Sequence, residues 1–250
     1  MKFSFTHHDK QYSYDSRVFH DLSTPIRNGN HNVNAYYLAD PQFEPFRAGG
    51  FVGSVAEGGA CNCEDITFNA HGNGTHTECV GHISADGHTI NQCLDQFQFM
   101  AAVISVKPEI KDNGDSVVYA ASLNELDLDG VEAVVIRTLP NDETKLEKRY
   151  SGTNPTYLDP SVTKLLADHG VQHVIVDVPS VDREEDGGKL LAHHAFWQYP
   201  SAPRLSATIT ELAYIPNEAK DGMYLLHIHI AAFESDASPS KPILYPLTAV

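Results

Sequence analysis

Asp159-Pro-Ser-Val-Thr-Lys-Leu-Leu-Ala-Asp-His-Gly-Val-Gln-His-Val-Ile-Val-Asp-Val178 reads as a helix that runs straight into a strand. Asp159 caps the helix and Pro160 takes an early position, where its missing N–H costs nothing. Val162, Leu165, Leu166 and His169 follow at helical spacing, and Gly170 closes the helix. Val171 to Val178 is then a β-branched run. Upstream, Val131 to Leu139 is another apolar run, suited to a strand buried on both faces. Strand, helix, strand over one short span is a βαβ-like unit, so the fold class is α/β.

Further strands are expected at Phe19–Ile26, Glu64–Asn69, Ala101–Lys107, Thr208–Ile215 and Gly222–Phe233, and a short helix at Leu190–Trp197. Residues 28–59 form a long irregular stretch carrying Tyr36, Tyr37, Phe43, Phe46 and Phe51. Disordered segments are poor in aromatics, so this loop is read as ordered and as a candidate pocket wall. No repeat, low-complexity tract or linker interrupts the chain, and residues 1–250 are read as one domain.

The net charge of −16 argues against nucleic acid and anionic membrane as partners, since both are polyanions. Cys61, Cys63, Cys79 and Cys93 form no CxxC pair and make a poor disulfide framework. They are read as free thiols. The N-terminus has no apolar run and no segment is long and apolar enough to span a bilayer, so the expectation is a soluble, cytoplasmic protein.

The chemistry concentrates in His71-Gly-Asn-Gly-Thr-His76-Thr-Glu78-Cys-Val-Gly-His82. Imidazole and carboxylate together suit Zn, Mn or Fe, and the glycines let the backbone turn tightly and bring these side chains to one point. His76 and Glu78, two apart, share a face of an extended segment, from which Cys79 points away. Glu78 and His82, four apart, share a face where the chain turns helical. A hydrolytic metal site needs about three protein ligands, an open position and a group to move a proton. More distant ligands are therefore expected. The candidates are His193 or His194 on the short helix, and Glu211. Strand alternation sets Glu211 beside Ile209, Ala213 and Ile215, an apolar face on which a carboxylate needs a partner or a metal. Asp177-Val-Pro-Ser-Val-Asp182 ends a strand, where α/β sites tend to lie, although Pro179 alone explains a turn there. His227 and His229 alternate on a strand and read as its polar face.

Three segments resemble the metal-dependent cyclase/hydrolase family that includes bacterial-type kynurenine formamidases and isatin hydrolases. The first is the 71–82 stretch, similar to that family's His-x-Gly-Thr-His-x-Asp-x-Pro-x-His signature. The second is Tyr157 to Asp182, with its Asp-x-Pro-Ser-Val-Asp ending. The third is Ile209-Thr-Glu211-Leu followed by Phe233-Glu-Ser-Asp-Ala-Ser-Pro239. The resemblance implies a cyclase-like mixed β-sheet or barrel core with flanking helices. It implies a divalent cofactor, Zn2+ or Mn2+, as one or two ions on His71, His76, Glu78, His193 (or His194) and Glu211. It implies His82 as proton donor and acceptor, and a pocket aromatic at Tyr36 or Tyr37. The activity expected is hydrolysis of an amide or cyclic amide by metal-activated water, with an aryl formamide as the family-level substrate. The partners expected are a small-molecule substrate and further copies of the chain, as a dimer or tetramer.

The chain also departs from that pattern. Counting back from Gly74-Thr-His76, the family's first histidine falls on Gly72, so His71 reaches the site only if one residue bulges out. Glu78 stands for Asp and Val80 for Pro. These departures motivate a rival expectation, a non-catalytic metal- or ligand-binding protein on the same scaffold.

Overall fold

The computed structural model describes residues 1–249. Four apolar runs pair side by side in parallel: β2 (Gln98–Val106), β3 (Ala133–Thr138), β4 (His173–Val176) and β5 (Thr208–Glu211). Three antiparallel strands bridge the ends of that run: β1 (His76–Glu78), β6 (Gly222–Ile230) and β7 (Ala237–Pro246). The order β1-β5-β4-β3-β2-β6-β7 returns to β1, so the sheet closes into a seven-stranded barrel. Closure leaves no edge in the ring. The α/β class and the barrel core with flanking helices both hold.

Two apolar layers follow from strand alternation. One fills the barrel with Phe99, Ala101, Val103, Val135, Ile175, Leu226 and Leu244. The other lies between the strands and the helices, with Val134, Ile136, Val174 and Ile209 packed against Val162, Leu166, Phe196 and Trp197. Strands β3 and β4 are buried on both faces, as their unbroken apolar sequence requires. After two single-turn helices, α1 (Ala70–Asn73) and α2 (Ile90–Cys93), helix α3 (Pro160–Asp168) covers these strands. Asp159 accepts the Ser161 amide at 3.0 Å as its cap, and Gly170, at φ +78°, ends it in the left-handed conformation that glycine tolerates best. Helix α4 (Leu191–Trp197) packs beside α3.

Several elements differ from their sequence reading. The strand expected at 64–69 is Glu64–Thr67, paired with Gln42–Pro45 in a peripheral, exposed hairpin. The strand expected at 19–26 shrinks to His20–Asp21, which pairs with β7 outside the ring. The strand expected at 208–215 ends at Glu211, because Leu212 takes φ +53°. That reversal breaks the alternation: Ile209 faces the helices, whereas Ala213 and Ile215 turn into the barrel. Apolar periodicity carries no sign of a single left-handed residue. His227 is half-buried beneath the N-terminal hairpin, against the Tyr245 and Tyr14 rings.

His173 lies buried in the barrel, its ring 3.8 Å from that of Phe99 and its Nδ1 2.8 Å from Thr208 Oγ1. Burial first, and the Arg204 charge second, push its pKa down to about 3. Between the usual histidine value near 6.5 and that lowered value, the unfolded chain takes up a proton that the folded protein refuses. Stability from this residue is therefore complete above pH 6.5 and is lost as pH falls, at up to about 1.4 kcal/mol per pH unit. The expected outcome for His173→Gln is a shallower acid limb: urea unfolding of parent and variant from pH 7 to 4 shows their stabilities converging as pH falls. Parallel curves would contradict this.

Candidate metal centre

Strand β1 is three residues long, and partners on both sides fix its register. Glu78 lies opposite Ile209 on β5 and Ala237 on β7, and His76 opposite Glu211. Directly opposed residues share a face, so His76, Glu78 and Glu211 point together with Ile209, out of the barrel and toward α4. The reverse face carries Thr77 and Thr210, whose hydroxyls meet at 2.8 Å. Cys79 turns into the barrel core, away from the His76–Glu78 face.

Flanking turns bring in the remaining histidines. A single helical turn, α1 (Ala70–Asn73), precedes β1. Its cap is the Asn69 side chain, which accepts the His71 amide at 2.9 Å. This turn takes up the residue by which His71 is displaced, so His71 joins the cluster. A one-turn 3-10 helix, Val80–His82, folds His82 back over Glu78. The glycines act differently from their sequence reading. Gly72, Gly74 and Gly81 are not in the left-handed region; they permit close approach. A Cβ on Gly72 would meet Leu38 Cδ1 at 2.4 Å, and one on Gly81 the His88 carbonyl at 2.0 Å. Helix α4 supplies His193, while His194 turns to the Tyr199 carbonyl and stays out of the cluster.

Each of three histidines has one ring nitrogen tied to an acceptor and the other turned inward. His76 Nδ1 is 3.1 Å from the Gly74 carbonyl, and its Nε2 faces Glu211 Oε2 at 3.5 Å and Glu78 Oε2 at 4.0 Å. His193 Nδ1 is 2.6 Å from Asp182 Oδ2, and its Nε2 faces Glu78 Oε1 at 3.1 Å and Glu211 Oε1 at 3.6 Å. His71 Nε2 is 2.9 Å from Asp236 Oδ2, and its Nδ1 faces Glu78 Oε2 at 3.1 Å. Orientation of a ligand histidine through its far nitrogen is typical of metal sites. Asp182 also accepts the Ala192 and His193 amides, at 2.8 and 3.1 Å, and so anchors the start of α4.

The donor set fits a cation. His76 Nε2 and Glu78 Oε2 are buried and have no hydrogen-bond partner among the described residues. Orphaned buried polar atoms are rare and costly. The groups His71, His76, Glu78 and Glu78, His82, His193 each gather ligand atoms within 4.8 Å of one another. Electrostatics agree. Burial would raise the Glu78 pKa, but the His82 charge and contacts from His193 and His71 hold it well below the carboxylate range. Burial would lower His71 and His193, yet Asp236 and Glu78 push His71, and Asp182 and Glu78 push His193, up to about 10. Without a metal, the carboxylates are balanced only by imidazolium protons.

A cavity of about 340 Å³ opens onto this cluster, with His71, His82, His193 and Glu211 at its floor. Tyr36 and Leu38 from the long loop and Leu190 from the α4 approach are its apolar walls; Ser180, Arg183 and Asp186 are among its polar lining. Tyr36 is held by its hydroxyl, which donates to the Pro179 carbonyl at 2.7 Å. Tyr37 does not line the cavity. Its side chain is 72% exposed and passes over Gly152. Both tyrosines have positive φ, so they point to different sides of a strained turn that sequence alternation does not reveal. Phe43, Phe46 and Phe51 lie on the peripheral hairpins.

With this geometry in view, comparison with known proteins is decisive for the family. The sequence profile of the family described as "Putative cyclase" matches residues 20–183. The chain belongs to this cyclase family. Among curated cyclase-family relatives, kynurenine formamidase of Bacillus cytotoxicus is 27% identical over 192 residues, covering 76% of this chain and 83% of that protein. The kynurenine formamidase of Bacillus anthracis is 25% identical over 194 residues, covering 78% and 85%. Solved cyclase folds agree in architecture. A structure described as a potential metal-dependent hydrolase with cyclase activity superposes with a TM-score of 0.65 at 15% identity, covering 91% of this chain and 97% of that one. Isatin hydrolase A from Labrenzia aggregata gives 0.64 at 11% identity, covering 91% and 93%. Formamidase relatives and hydrolase neighbours together support a hydrolase of the cyclase family.

Sequence reasoning left two groups of the cluster without a role. Asp182 was visible only as one end of a turn, and Asp236 only within a closing loop of the resemblance. Asp236 reaches the site because β7 pairs with β1.

Zn2+ or Mn2+ is expected to raise the melting temperature, and a chelator to lower it. Saturation at 100 times the dissociation constant corresponds to about 2.7 kcal/mol. His76→Ala is expected to remove most of that shift. Calorimetry with and without metal measures it, and an unchanged shift in the variant would exclude His76 as a ligand.

Proposed function

We propose that this protein is a divalent-metal-dependent amidohydrolase that cleaves the C–N bond of an amide or cyclic amide, with aryl formamides the favoured class. The observation that carries the reading is the buried pair of unpartnered atoms, His76 Nε2 and Glu78 Oε2, which lie behind His71, His193 and Glu211 in the lining of a cavity that His82 also lines. His71, His76, Glu78, His193 and Glu211 would hold the metal, as one or two ions of Zn2+ or Mn2+. That metal supplies Lewis-acid polarisation of the substrate carbonyl and a water of lowered pKa.

The chain's own residues do the rest. Tyr36, Leu38 and Leu190 form apolar walls suited to a flat aromatic group, and pockets of this size match small ligands. His82 is only partly exposed, and the cavity is its opening to solvent. It takes the proton from the attacking water as the carbonyl carbon gains its new oxygen. As the C–N bond breaks, His82 returns that proton to the leaving nitrogen, so a formamide yields an amine and formate. Glu211 accepts the Val181 amide at 2.8 Å, which fixes the loop that carries Ser180 and Arg183 along the cavity. Kynurenine formamidase relatives support the formamide class.

The test is turnover of an aryl formamide by Zn2+- or Mn2+-loaded protein, followed by release of the aryl amine. His82→Ala is expected to keep its metal and lose about 100- to 10,000-fold in kcat, the usual size of an acid–base contribution. Tight metal binding with no turnover on amides, lactams or lactones would overturn the hydrolase and favour a metal-binding protein on this scaffold.

A further inference from the structure

Every inward-facing histidine needs an acceptor on its other nitrogen, and two of them share one. Asp236 Oδ2 lies 2.9 Å from His71 Nε2 and 3.1 Å from His82 Nδ1. Its second oxygen is engaged by the Ser235 hydroxyl at 3.0 Å. A carboxylate oxygen only accepts, so both nitrogens facing it carry protons. In a neutral ring, the form that can ligate a cation, that leaves His71 Nδ1 and His82 Nε2 as the lone-pair nitrogens. His71 Nδ1 faces Glu78 Oε2 at 3.1 Å, yet Glu78 Oε2 has no hydrogen-bond partner among the described residues. A neutral His71 beside the ionised Glu78 would set two acceptors that close together, the arrangement of two ligands to one cation.

The support beneath Asp236 is rigid. Its carbonyl accepts the Cys79 amide at 3.0 Å, and the next residue, Ala237, lies opposite Glu78 in the sheet. The carboxylate is therefore tethered to the strand that carries the metal-type residues. The His71 and His82 rings, 4.5 Å apart, are gripped from the same side.

We propose that Asp236 is a positioning residue: its single oxygen sets the tautomers of both His71 and His82, turning His71 Nδ1 toward the metal position and leaving His82 Nε2 as the nitrogen that carries the proton. The tautomer assignment stands on geometry, and its catalytic consequence rests on the hydrolase reading above. It gives the displaced His71 a fixed orientation, and ties ligand geometry to proton transfer through one side chain. Loss of such an orienting partner generally costs about 10- to 100-fold in affinity or activity.

The experiment has two arms. Histidine-ring nitrogen–proton correlation spectra of the Zn2+-loaded parent are expected to show a protonated Nε2 on His71 and a protonated Nδ1 on His82. The isosteric Asp236→Asn, which removes the charge and offers an amide donor, is expected to lose the single His82 tautomer. It is also expected to keep the parent's zinc content and to lose about 10- to 100-fold in kcat with KM unchanged. The opposite tautomer on His82 in the parent would overturn the assignment. So would an unchanged kcat in Asp236→Asn at saturating Zn2+, or a zinc content that stays below the parent's even at saturating Zn2+, which would make Asp236 a ligand. A parent without turnover would sink the hydrolase reading alone, because the parent's ring tautomers decide the role of Asp236 without substrate.

Discussion

The Glu78 carboxylate is fully buried, and one of its oxygens has no hydrogen-bond partner among the described residues. An uncompensated charge in such a place costs several kcal/mol, roughly what holds a whole domain together. The surrounding architecture makes it tolerable. His71, His82 and His193 approach it from the flanking turns and from α4, and His76 and Glu211 stand beside it on paired strands. Around these sits an outer ring of acceptors, comprising the Gly74 carbonyl, Asp182 and Asp236. The inner groups offer lone pairs and negative charge to a common point, and the outer ones fix the direction of each imidazole.

The site lies outside the barrel, between its wall and α4. That placement follows from strand alternation, which commits Thr77, Cys79 and Thr210 to the other face. A one-residue slip of β1 would send His76 and Glu78 into an apolar interior and bring Thr77 and Cys79 to the cavity. Pairing on both sides of β1, to β5 and to β7, prevents it. The Thr24 and Thr75 hydroxyls, which both donate to the Leu212 carbonyl, brace the same junction from the N-terminal side.

Much of this was legible in the sequence. The capped helix at 160–168, the buried strands β3 and β4, and the ligand-type residues His76, Glu78, His193 and Glu211 followed from periodicity, from buried-charge logic or from resemblance. Three features were not. The left-handed Leu212 reverses a face that strict alternation had extended to Ile215, and no composition signal marks such a residue. The strand expected at 64–69 joins only a peripheral pair, because its partner Gln42–Pro45 lies in the long loop and not in the ring. Asp236 is a single carboxylate in a loop, and only the pairing of strands far apart in sequence carries it to His71 and His82.

That pairing has a kinetic meaning. β1 spans residues 76–78, while its two neighbours come from residues 208–211 and 237–246. Contacts between such distant segments form only after large loops have closed, and they belong to the slow part of folding. A chain still emerging from the ribosome can hold βαβ structure around 131–178 while the 71–82 stretch has yet to meet His193 and Glu211. The His/Glu cluster and the closed ring of strands come into being together, so any metal the cluster takes up would report completion of the barrel as well as occupancy of a site.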